Sequence, residues 1–225
     1  MNAKYMLNLH NQNVLGARNL ITGSSLFHPA NTGFGFGAKS GANHMIKDIR
    51  SRMWGATNIA AIDQGLPTTS KRFDLQKSNE AGFVEYKSYS EDYGIGDVTG
   101  IGSGSWKDFD QFLAYLKQPQ VQDMGGTTLE YVFDAKKIPN VSDIKDAFQK
   151  MMLTKDAQNN PILTTQGTQV FDAIWANVGL RGNLFPRANY DPLFTPQQYQ
   201  DAAKNTFKTY LSTSDNSFFS FIKVK

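Results

Sequence analysis

The sequence contains no cysteine among its 225 residues. This absence excludes a disulfide framework, a zinc site built on thiolates and a cysteine nucleophile. Only three histidines are present, His10, His28 and His44, and their scattered spacing does not match the ligand spacing of a metal site. The chemistry of the chain therefore has to come from carboxylates, amines, hydroxyls and aromatic side chains.

Long apolar runs are also missing. No stretch approaches the roughly 20 residues that a membrane-spanning helix needs, and the N-terminal stretch MNAKYMLNLHNQNVLG lacks the apolar segment of a secretory signal peptide. Positive charge exceeds negative charge only slightly, with a formal net charge of +3. This small excess suits an anionic partner such as nucleic acid without requiring one. These features predict a soluble protein, or a soluble piece cut from something larger, with no membrane partner.

The composition is sufficient for a folded core. Apolar residues make up 40% of the chain and aromatic residues 12%, which suits one large domain or a core domain with an attachment. Residues 1–41 are rich in Asn, Gly and Ser, and they predict a leader or loop segment. Residues 42–150 predict an α/β core, and residues 151–225 predict an α-helical extension packed on that core.

Hydrophobic periodicity places the elements of the core and the extension. Helices are predicted at ANHMIKDIRSRMW, at SWKDFDQFLAYLKQ with Ser105 as N-cap, and at VSDIKDAFQKMM with Ser142 as cap. Strands are predicted at KRFDLQ, GFVEYKSY and TTLEYVFDA, and the stretch GATNIAAIDQGLPTTS is predicted to be a connector. The extension is predicted to hold two helices, TTQGTQVFDAIWANVG and TPQQYQDAAKNTFKTYL. The second of these begins with Thr195 as N-cap and Pro196 at the first helical position.

Two carboxylates and a lysine form the candidate chemical centre. The strand GFVEYKSY places Glu85 and Lys87 on one face, and the preceding strand KRFDLQ carries Asp74. Two carboxylates on neighbouring strands can hold a hard divalent cation and leave positions for water and a phosphate oxygen. Lys87 can then orient or help deprotonate the attacking water and offset the charge that builds on the phosphate. The alternative is a charged cross-strand pair on a solvated face.

The stretch KRFDLQKSNEAGFVEYKSYS resembles the core of the PD-(D/E)XK nucleases, the restriction-endonuclease-like superfamily. It is most similar to the nuclease domains at the C-terminal ends of bacterial polymorphic toxins. The resemblance covers about residues 42–150 and implies a core of a helix, a mixed sheet and a helix. It also implies that Asp74 and Glu85 ligate Mg²⁺ or Mn²⁺, that the backbone carbonyl of Tyr86 is a further ligand, and that Lys87 is catalytic.

Two further site residues follow from the same resemblance. Gln111 and Tyr115 in the stretch QFLAY fit the Q-x-x-x-Y pattern of the RecB-type branch, in which Gln111 is a catalytic-site residue. The alternative for this pattern is an ordinary amphipathic helix. Some members add an acid from the first helix, and Asp48 is the candidate metal ligand here, at a position where the family usually has glutamate. Phe73 stands where the family pattern has a proline.

The resemblance implies a metal-dependent nuclease that acts on DNA in preference to RNA and serves as a toxin or effector. Such a chain would reach the cytoplasm of a target cell without a secretory signal peptide and would be bound by a cognate immunity protein; otherwise it would be cytoplasmic.

Two other classes of protein remain open. One is a non-catalytic binding module that presents aromatics such as Phe185, Tyr190 and Phe194 to a protein partner. The other is an ADP-ribosyltransferase, suggested by the STSD motif at Ser212–Asp215, although the short remainder of the chain has no glutamate for the downstream motif of that class.

Overall fold

A computed structural model describes residues 9, 11–14, 36–55, 57–66, 69, 71–78, 82–87, 101, 106, 108–136, 138 and 140–225. Over these residues the chain is an α/β protein with a mixed five-stranded sheet, a two-stranded sheet and six α-helices. None of the helices in this part of the chain is long and apolar enough to cross a membrane.

The helices are α1 Phe36–Ser51, α2 Phe109–Leu116, α3 Val141–Met152, α4 Thr165–Ala176, α5 Val178–Leu184 and α6 Pro196–Leu211. The strands are β1 Ile59–Gly65, β2 Arg72–Lys77, β3 Gly82–Lys87, β4 Leu129–Phe133, β5 Leu153–Lys155, β6 Pro161–Leu163 and β7 Ile222–Val224. Two short 3₁₀ helices span Arg187–Asn189 and Ser217–Phe221.

The five-stranded sheet has the strand order β1-β2-β3-β4-β7. Strand β2 pairs antiparallel with both β1 and β3, and Leu75 lies opposite Ile62 on one side and Val84 on the other. Next to β7, the N–H of Lys225 donates to the carbonyl of Phe133 at 3.0 Å, and the carbonyl of Lys225 accepts from Ala135 at 2.9 Å. Lys225 thus forms hydrogen bonds with the residues before and after Asp134. This pattern is typical of parallel strands, so the sheet is mixed.

The chain forms two compact units that interleave along the sequence. The sheet unit comprises residues 1–95, 130–139 and 223–225, and the helical unit comprises residues 96–129 and 140–222. The division at residues 41 and 150 that the sequence predicts stays a prediction.

The core of the sheet unit forms where α1 covers one face of the sheet. Residues of α1 at helical spacing are fully or almost fully buried there, namely Met45, Ile46 and Ile49. They pack against apolar side chains from successive strands, namely Ile62, Leu75, Val84, Tyr86 and Val132. The predicted first helix is confirmed, although it begins earlier than residue 42 and ends at Ser51. The amphipathic pattern therefore places α1 against the side of β3 that carries Val84 and Tyr86.

The core of the helical unit is built largely from aromatic rings. The rings of Phe112, Phe148 and Phe221 lie within 5.7 Å of one another, centroid to centroid. In the same unit, the buried side chain of Asn177 donates from Nδ2 to the carbonyls of Leu116 and Gln118 at the end of α2 and accepts at Oδ1 the N–H groups of Gly179 and Leu180. This one amide therefore both caps α5 and fixes the end of α2.

Several elements differ from their predictions. The predicted connector contains β1, whose Ile59, Ala61 and Ile62 are buried; this apolar run is short and rich in alanine, so its strand pattern was weak. Helix α5 begins within the last residues of the predicted helix TTQGTQVFDAIWANVG and extends beyond it, because Asn177 ends α4 and supplies the N-cap of a new helix. Strands β5, β6 and β7 have three residues each and carry no readable alternation.

The helix caps were predicted with mixed success. Thr195 and Pro196 begin α6 as predicted, with a capping box completed by Gln198. The N-cap of α3 is Asn140, so the prediction of Ser142 was wrong. Helix α2 begins after Asp108, and the predicted cap Ser105 lies outside the described residues.

Candidate functional site

Glu85 and Lys87 form an ion pair within strand β3. The ammonium Nζ of Lys87 lies 2.8 Å from Oε1 of Glu85. Both residues are buried, with 4% and 7% of their surfaces exposed. Burial of a charged pair costs desolvation energy, and charged side chains are almost never fully buried unless they are paired. The alternative of a charged pair on a solvated face does not describe these two residues.

The alternation of β3 separates this pair from the helix-covered core. Val84 and Tyr86 pack towards α1, so the side chains of Glu85 and Lys87 extend from the opposite face of the sheet. On that face the Nζ of Lys87 lies 5.7 Å from the ring centroid of Tyr131 in β4. A cation above an aromatic face is attracted by the ring quadrupole, which favours this position of the Lys87 side chain.

Asp74 comes to the backbone of β3 between the two charged residues. Its Oδ2 accepts the N–H of Tyr86 at 2.7 Å. The carboxylate thus replaces a main-chain acceptor of the sheet and lies at the residue that separates Glu85 from Lys87. Asp74 itself is only half-buried. The structure therefore brings together the three residues that the sequence predicts as a centre, and places Tyr86, the predicted carbonyl ligand, in their middle.

Asp48 lies on the other side of β3. Its Oδ2 accepts hydrogen bonds from Arg52 Nε at 2.8 Å and from the Tyr86 hydroxyl at 3.0 Å, and its Oδ1 lies 3.1 Å from Lys225 Nζ. Burial, and then the charge of Asp48, raises the pKa of Tyr86 well above its ordinary value, so the phenol keeps the proton that it donates. Asp48 binds the side chain of Tyr86 on the face of the sheet that α1 covers, whereas Glu85 and Lys87 extend from the opposite face.

Glu130 belongs to the same buried network of charges as Asp48, because both carboxylates contact Arg52. Arg52 Nη2 lies 2.7 Å from one of its oxygens and Lys77 Nζ lies 2.8 Å from the other. Burial alone would raise the pKa of Glu130, but the hydrogen bonds from Arg52 and Lys77 outweigh burial and hold the pKa below its ordinary value. Sequence reasoning missed Glu130. The available signal was a lone acid in the otherwise apolar strand LEYVF, at the same alternation as the inward-facing Val132.

His44 lies beside this network on α1. Its ring meets the Tyr86 ring edge-on at 5.6 Å, and its Nε2 is buried without a hydrogen-bond partner among the described residues. Burial lowers the pKa of His44 below its ordinary value, against the opposing effect of Asp134, so the ring is neutral at pH 7. A neutral ring in this packed position acts as part of the core around Tyr86.

Gln111 belongs to the helical unit, whereas Asp74, Glu85 and Lys87 belong to the sheet unit. Gln111 is half-buried in α2, and Tyr115, one turn later, is completely buried. Tyr115 thus has the burial of an ordinary core residue on an amphipathic helix. The role of Gln111 in the site stays a prediction.

The features behind the two other functional classes have structural uses. Phe185 is completely buried and meets the rings of Phe171 and Phe207, so it is not presented to a partner. Ser212 is the C-cap of α6, and its hydroxyl donates to the carbonyl of Lys208. The STSD motif therefore forms the end of a helix and the turn that follows it.

The donor set of the candidate centre suits a hard cation. No group of three or more His, Cys, Asp and Glu side chains arranged to hold a metal occurs within the described residues. Asp74 and Glu85 are instead two carboxylates on neighbouring strands, and a site of this kind uses one or two carboxylates together with waters and substrate phosphates to bind Mg²⁺. These two residues fit such an ion, and the neighbouring Lys87 fits a site where phosphate charge is neutralised.

Comparison with protein families, with characterised proteins and with solved structures finds no match to this chain.

Proposed function

We propose that the chain is a metal-dependent nuclease with a restriction-endonuclease-like core, and that it hydrolyses phosphodiester bonds in DNA. One observation carries this proposal. The carboxylate of Asp74 meets β3 at the N–H of Tyr86, between Glu85 and Lys87, which form a buried pair at 2.8 Å. Two carboxylates and an amine on one strand pair are groups that can support metal-dependent hydrolysis of a phosphodiester.

Asp74 and Glu85 would hold Mg²⁺ or Mn²⁺, with the backbone carbonyl of Tyr86 as a third protein ligand. Such an ion supplies Lewis acidity at a phosphate oxygen and promotes ionisation of water. The chain also orients these ligands. Tyr86 is fixed through its side chain by Asp48 and through its N–H by Asp74. The main chain between Glu85 and Lys87 is thereby held from both sides, and preorganisation of this kind is what a catalytic centre needs.

Lys87 would hold the attacking water and neutralise charge on the phosphate. Its ammonium is oriented by Glu85 and by the ring of Tyr131, so its donors keep a fixed direction. A cation in a partly desolvated position interacts more strongly with developing negative charge than the same cation in water. The sheet unit has a net positive charge, because lysine and arginine outnumber aspartate and glutamate in it, and this charge favours an anionic substrate.

Replacement of Lys87 by alanine is expected to slow plasmid cleavage by about 10²–10⁴-fold, the usual contribution of a group that assists proton transfer. The measurement is the conversion of supercoiled plasmid with Mg²⁺, with Mn²⁺ and with EDTA. Glu85→Gln keeps the shape of the side chain and should remove metal-dependent cleavage. Lys47→Ala is the matched control, because Lys47 is exposed on α1.

Thermal unfolding followed by circular dichroism would show whether the variants remain folded, and Lys87→Met is a second test that keeps most of the buried volume. Undiminished cleavage by folded Lys87→Ala and Lys87→Met would rule out the assigned role of Lys87. Equal cleavage with Mg²⁺ and with EDTA would rule out metal dependence.

We also propose that the nuclease serves as a toxin or effector, which acts in the cytoplasm of a target cell and is neutralised by a cognate immunity protein. This proposal follows from the resemblance of the Asp74, Glu85 and Lys87 stretch to polymorphic-toxin nucleases. Induced expression in bacteria is expected to stop growth and degrade DNA, and Glu85→Gln is expected to restore growth. Lys47→Ala should remain toxic. Expression of each chain would be checked by immunoblot. Normal growth of cells that express the wild-type chain would contradict the proposal.

A further inference from the structure

The helical unit carries a groove of about 520 Å³ between the start of α5 and the first turn of α6. Its walls include two aromatic rings and two guanidinium groups, those of Trp175, Tyr199, Arg181 and Arg187. We call this the aromatic groove. Its volume is within the range of small-ligand sites and suits one or two nucleotide units. None of these four residues takes part in the candidate centre described above.

The two rings of the aromatic groove are held in place and remain partly exposed. Trp175 and Tyr199 lie 5.0 Å apart, centroid to centroid, at an angle of 59°. The hydroxyl of Tyr199 donates to the carbonyl of Phe185, and its ring also meets Tyr190 at 5.1 Å. Both Trp175 and Tyr199 are half-buried. One further ring contact orients Trp175, which stacks with Phe171 at 5.8 Å and 24°. Fixed, half-exposed aromatic groups can contact a flat ligand without losing further side-chain entropy.

The two arginines lie over these rings, and their hydrogen bonds within the described residues all go to main-chain carbonyl groups. The guanidinium carbon of Arg181 is 5.3 Å from the Trp175 ring, and Nη1 donates to the carbonyl of Trp175 at 3.2 Å. The guanidinium carbon of Arg187 is 4.9 Å from the Tyr199 ring. Its nitrogens donate to the carbonyls of the loop that precedes α6, at Asp191, Pro192 and Phe194.

Neither arginine forms an ion pair with a carboxylate in the described part of the chain. A planar cation held on an aromatic ring keeps its remaining N–H donors directed outward, which suits a phosphate or a carboxylate. Two acids of the described residues are near the groove. Asp191 contacts Arg187 through its main-chain carbonyl, and its Oδ1 accepts the N–H of Leu193 at 2.8 Å; Asp201 accepts a hydrogen bond from Gln197 at 2.9 Å. The first turn of α6 contains no acidic residue.

We propose that the aromatic groove binds a single-stranded nucleic acid, with bases stacked on the guanidinium planes that lie over Trp175 and Tyr199 and phosphates bound by the N–H groups of Arg181 and Arg187. A nucleic acid uses both features of the groove, because it joins flat aromatic bases to anionic groups at close spacing. An acidic peptide would satisfy the arginines and leave the rings with a poorer partner. The choice of nucleic acid also rests on the proposed nuclease function, for which this groove would be a second contact with substrate strands.

The test uses the full chain with Glu85→Gln, in EDTA, so that the probe is not cut. Fluorescence anisotropy would follow a labelled oligo(dT) of about 12 nucleotides, a length within the usual site size of strand-binding modules. Arg181→Glu and Trp175→Leu are each expected to weaken binding about tenfold or more, given the usual contribution of a stacked base or a phosphate contact. Lys155→Glu is the matched control, because Lys155 is exposed in β5 and makes the same change of charge; its affinity should stay within about twofold.

Binding that is unchanged in both Arg181→Glu and Trp175→Leu overturns the proposal. Displacement of the probe by polyglutamate at lower concentration than by unlabelled oligo(dT) also overturns it and points to an acidic protein. Oligo(U) of the same length compares the two kinds of strand, and binding of either one through Arg181 supports the groove. Binding that depends on Arg181 in a chain that cuts no plasmid supports the groove and rejects the nuclease. Cleavage that depends on Lys87, together with binding that does not depend on Arg181, supports the nuclease and rejects the groove.

Discussion

Replacement of Glu130 by alanine is expected to lower the free energy of unfolding by about 3–5 kcal/mol, the usual effect of removing one partner from a buried group of charges. Glu130 is 5% exposed and lies against Arg52 at 2.7 Å and Lys77 at 2.8 Å. The substitution removes the carboxylate that bridges these two cations and leaves their charge in a desolvated place. In the variant, Arg52 and Lys77 still carry the desolvation cost of burial, but they lose the Coulomb attraction to Glu130 that offset this cost.

Urea denaturation of wild type and variant would measure this change. Asp172→Ala is the matched control, because Asp172 is an exposed acid on α4 and surface substitutions of this kind usually change stability by less than about 0.5 kcal/mol. Glu130→Gln would retain the shape and part of the hydrogen bonding, so its effect should lie between the other two. A Glu130→Ala variant as stable as Asp172→Ala would show that the network around Arg52 and Lys77 contributes little.

The same carboxylate gives a pH dependence with a defined direction. The pKa of Glu130 in the folded chain lies below its ordinary value of 4.5. A group with a depressed folded pKa stabilises the protein fully above its unfolded pKa, and this stabilisation is lost as the pH falls through the folded pKa. The wild-type chain should therefore lose stability as the pH falls below about 4.5, and Glu130→Ala should show a flatter profile over the same range.

The network also explains why two sides of one strand can have different roles. Asp48, Arg52, Lys77 and Glu130 hold the face of the sheet that α1 covers. Tyr86 belongs to that face through its side chain and to the candidate centre through its N–H. Changes at Asp48 would then act on the centre through the position of Tyr86, without any contact with substrate. A buried ionic network under a proposed active site is consistent with a role in orientation.

Sequence reasoning placed the candidate centre because its three residues lie close along the chain. Asp74 and Glu85 are separated by one turn between two strands, and alternation alone fixes Lys87 on the same face as Glu85. The partners of Asp48 could not be placed in the same way. Arg52 is a helical neighbour, but Tyr86 and Lys225 come from distant parts of the chain, and their meeting depends on the strand order of the sheet.

In the helical unit too, the sequence predicts helices that have local start signals and does not predict elements that depend on distant contacts. Helices α4 and α6 were predictable because each has a local start signal, a threonine N-cap at Thr164 and at Thr195. Helix α5 was not, because its seven residues begin directly after α4 and its cap, Asn177, is shared with a tertiary contact to the turn after α2. Strand β7 has only three residues, and its place beside β4 comes from pairing with a strand far away in the sequence.

The junction between α3 and α4 depends on the absence of a side chain at Gly167. A Cβ atom at this position would lie 2.0 Å from the carbonyl oxygen of Met152 and 2.8 Å from its carbonyl carbon. The neighbouring contacts leave little room for movement. Thr164 donates its own N–H to Met152 at 3.1 Å, and its hydroxyl accepts the N–H of Gly167 at 2.9 Å. The start of α4 is thus tied to the same carbonyl that an added methyl group would displace.

Gly167→Ala is therefore expected to destabilise the chain by about 3 kcal/mol, at the upper end of the range for overpacked sites, because backbone rather than a flexible side chain must move. Gly182→Ala is the matched control. Gly182 is also helical, in α5, and an added Cβ there meets nothing within 4 Å. Alanine is the better helix former, so this variant should gain about 0.5–1 kcal/mol. Urea denaturation of both variants separates the two effects, since helix propensity alone would stabilise both. If Gly167→Ala matched Gly182→Ala in stability, the α4 start would have to be free to move away from Met152, and the close approach would not constrain this junction.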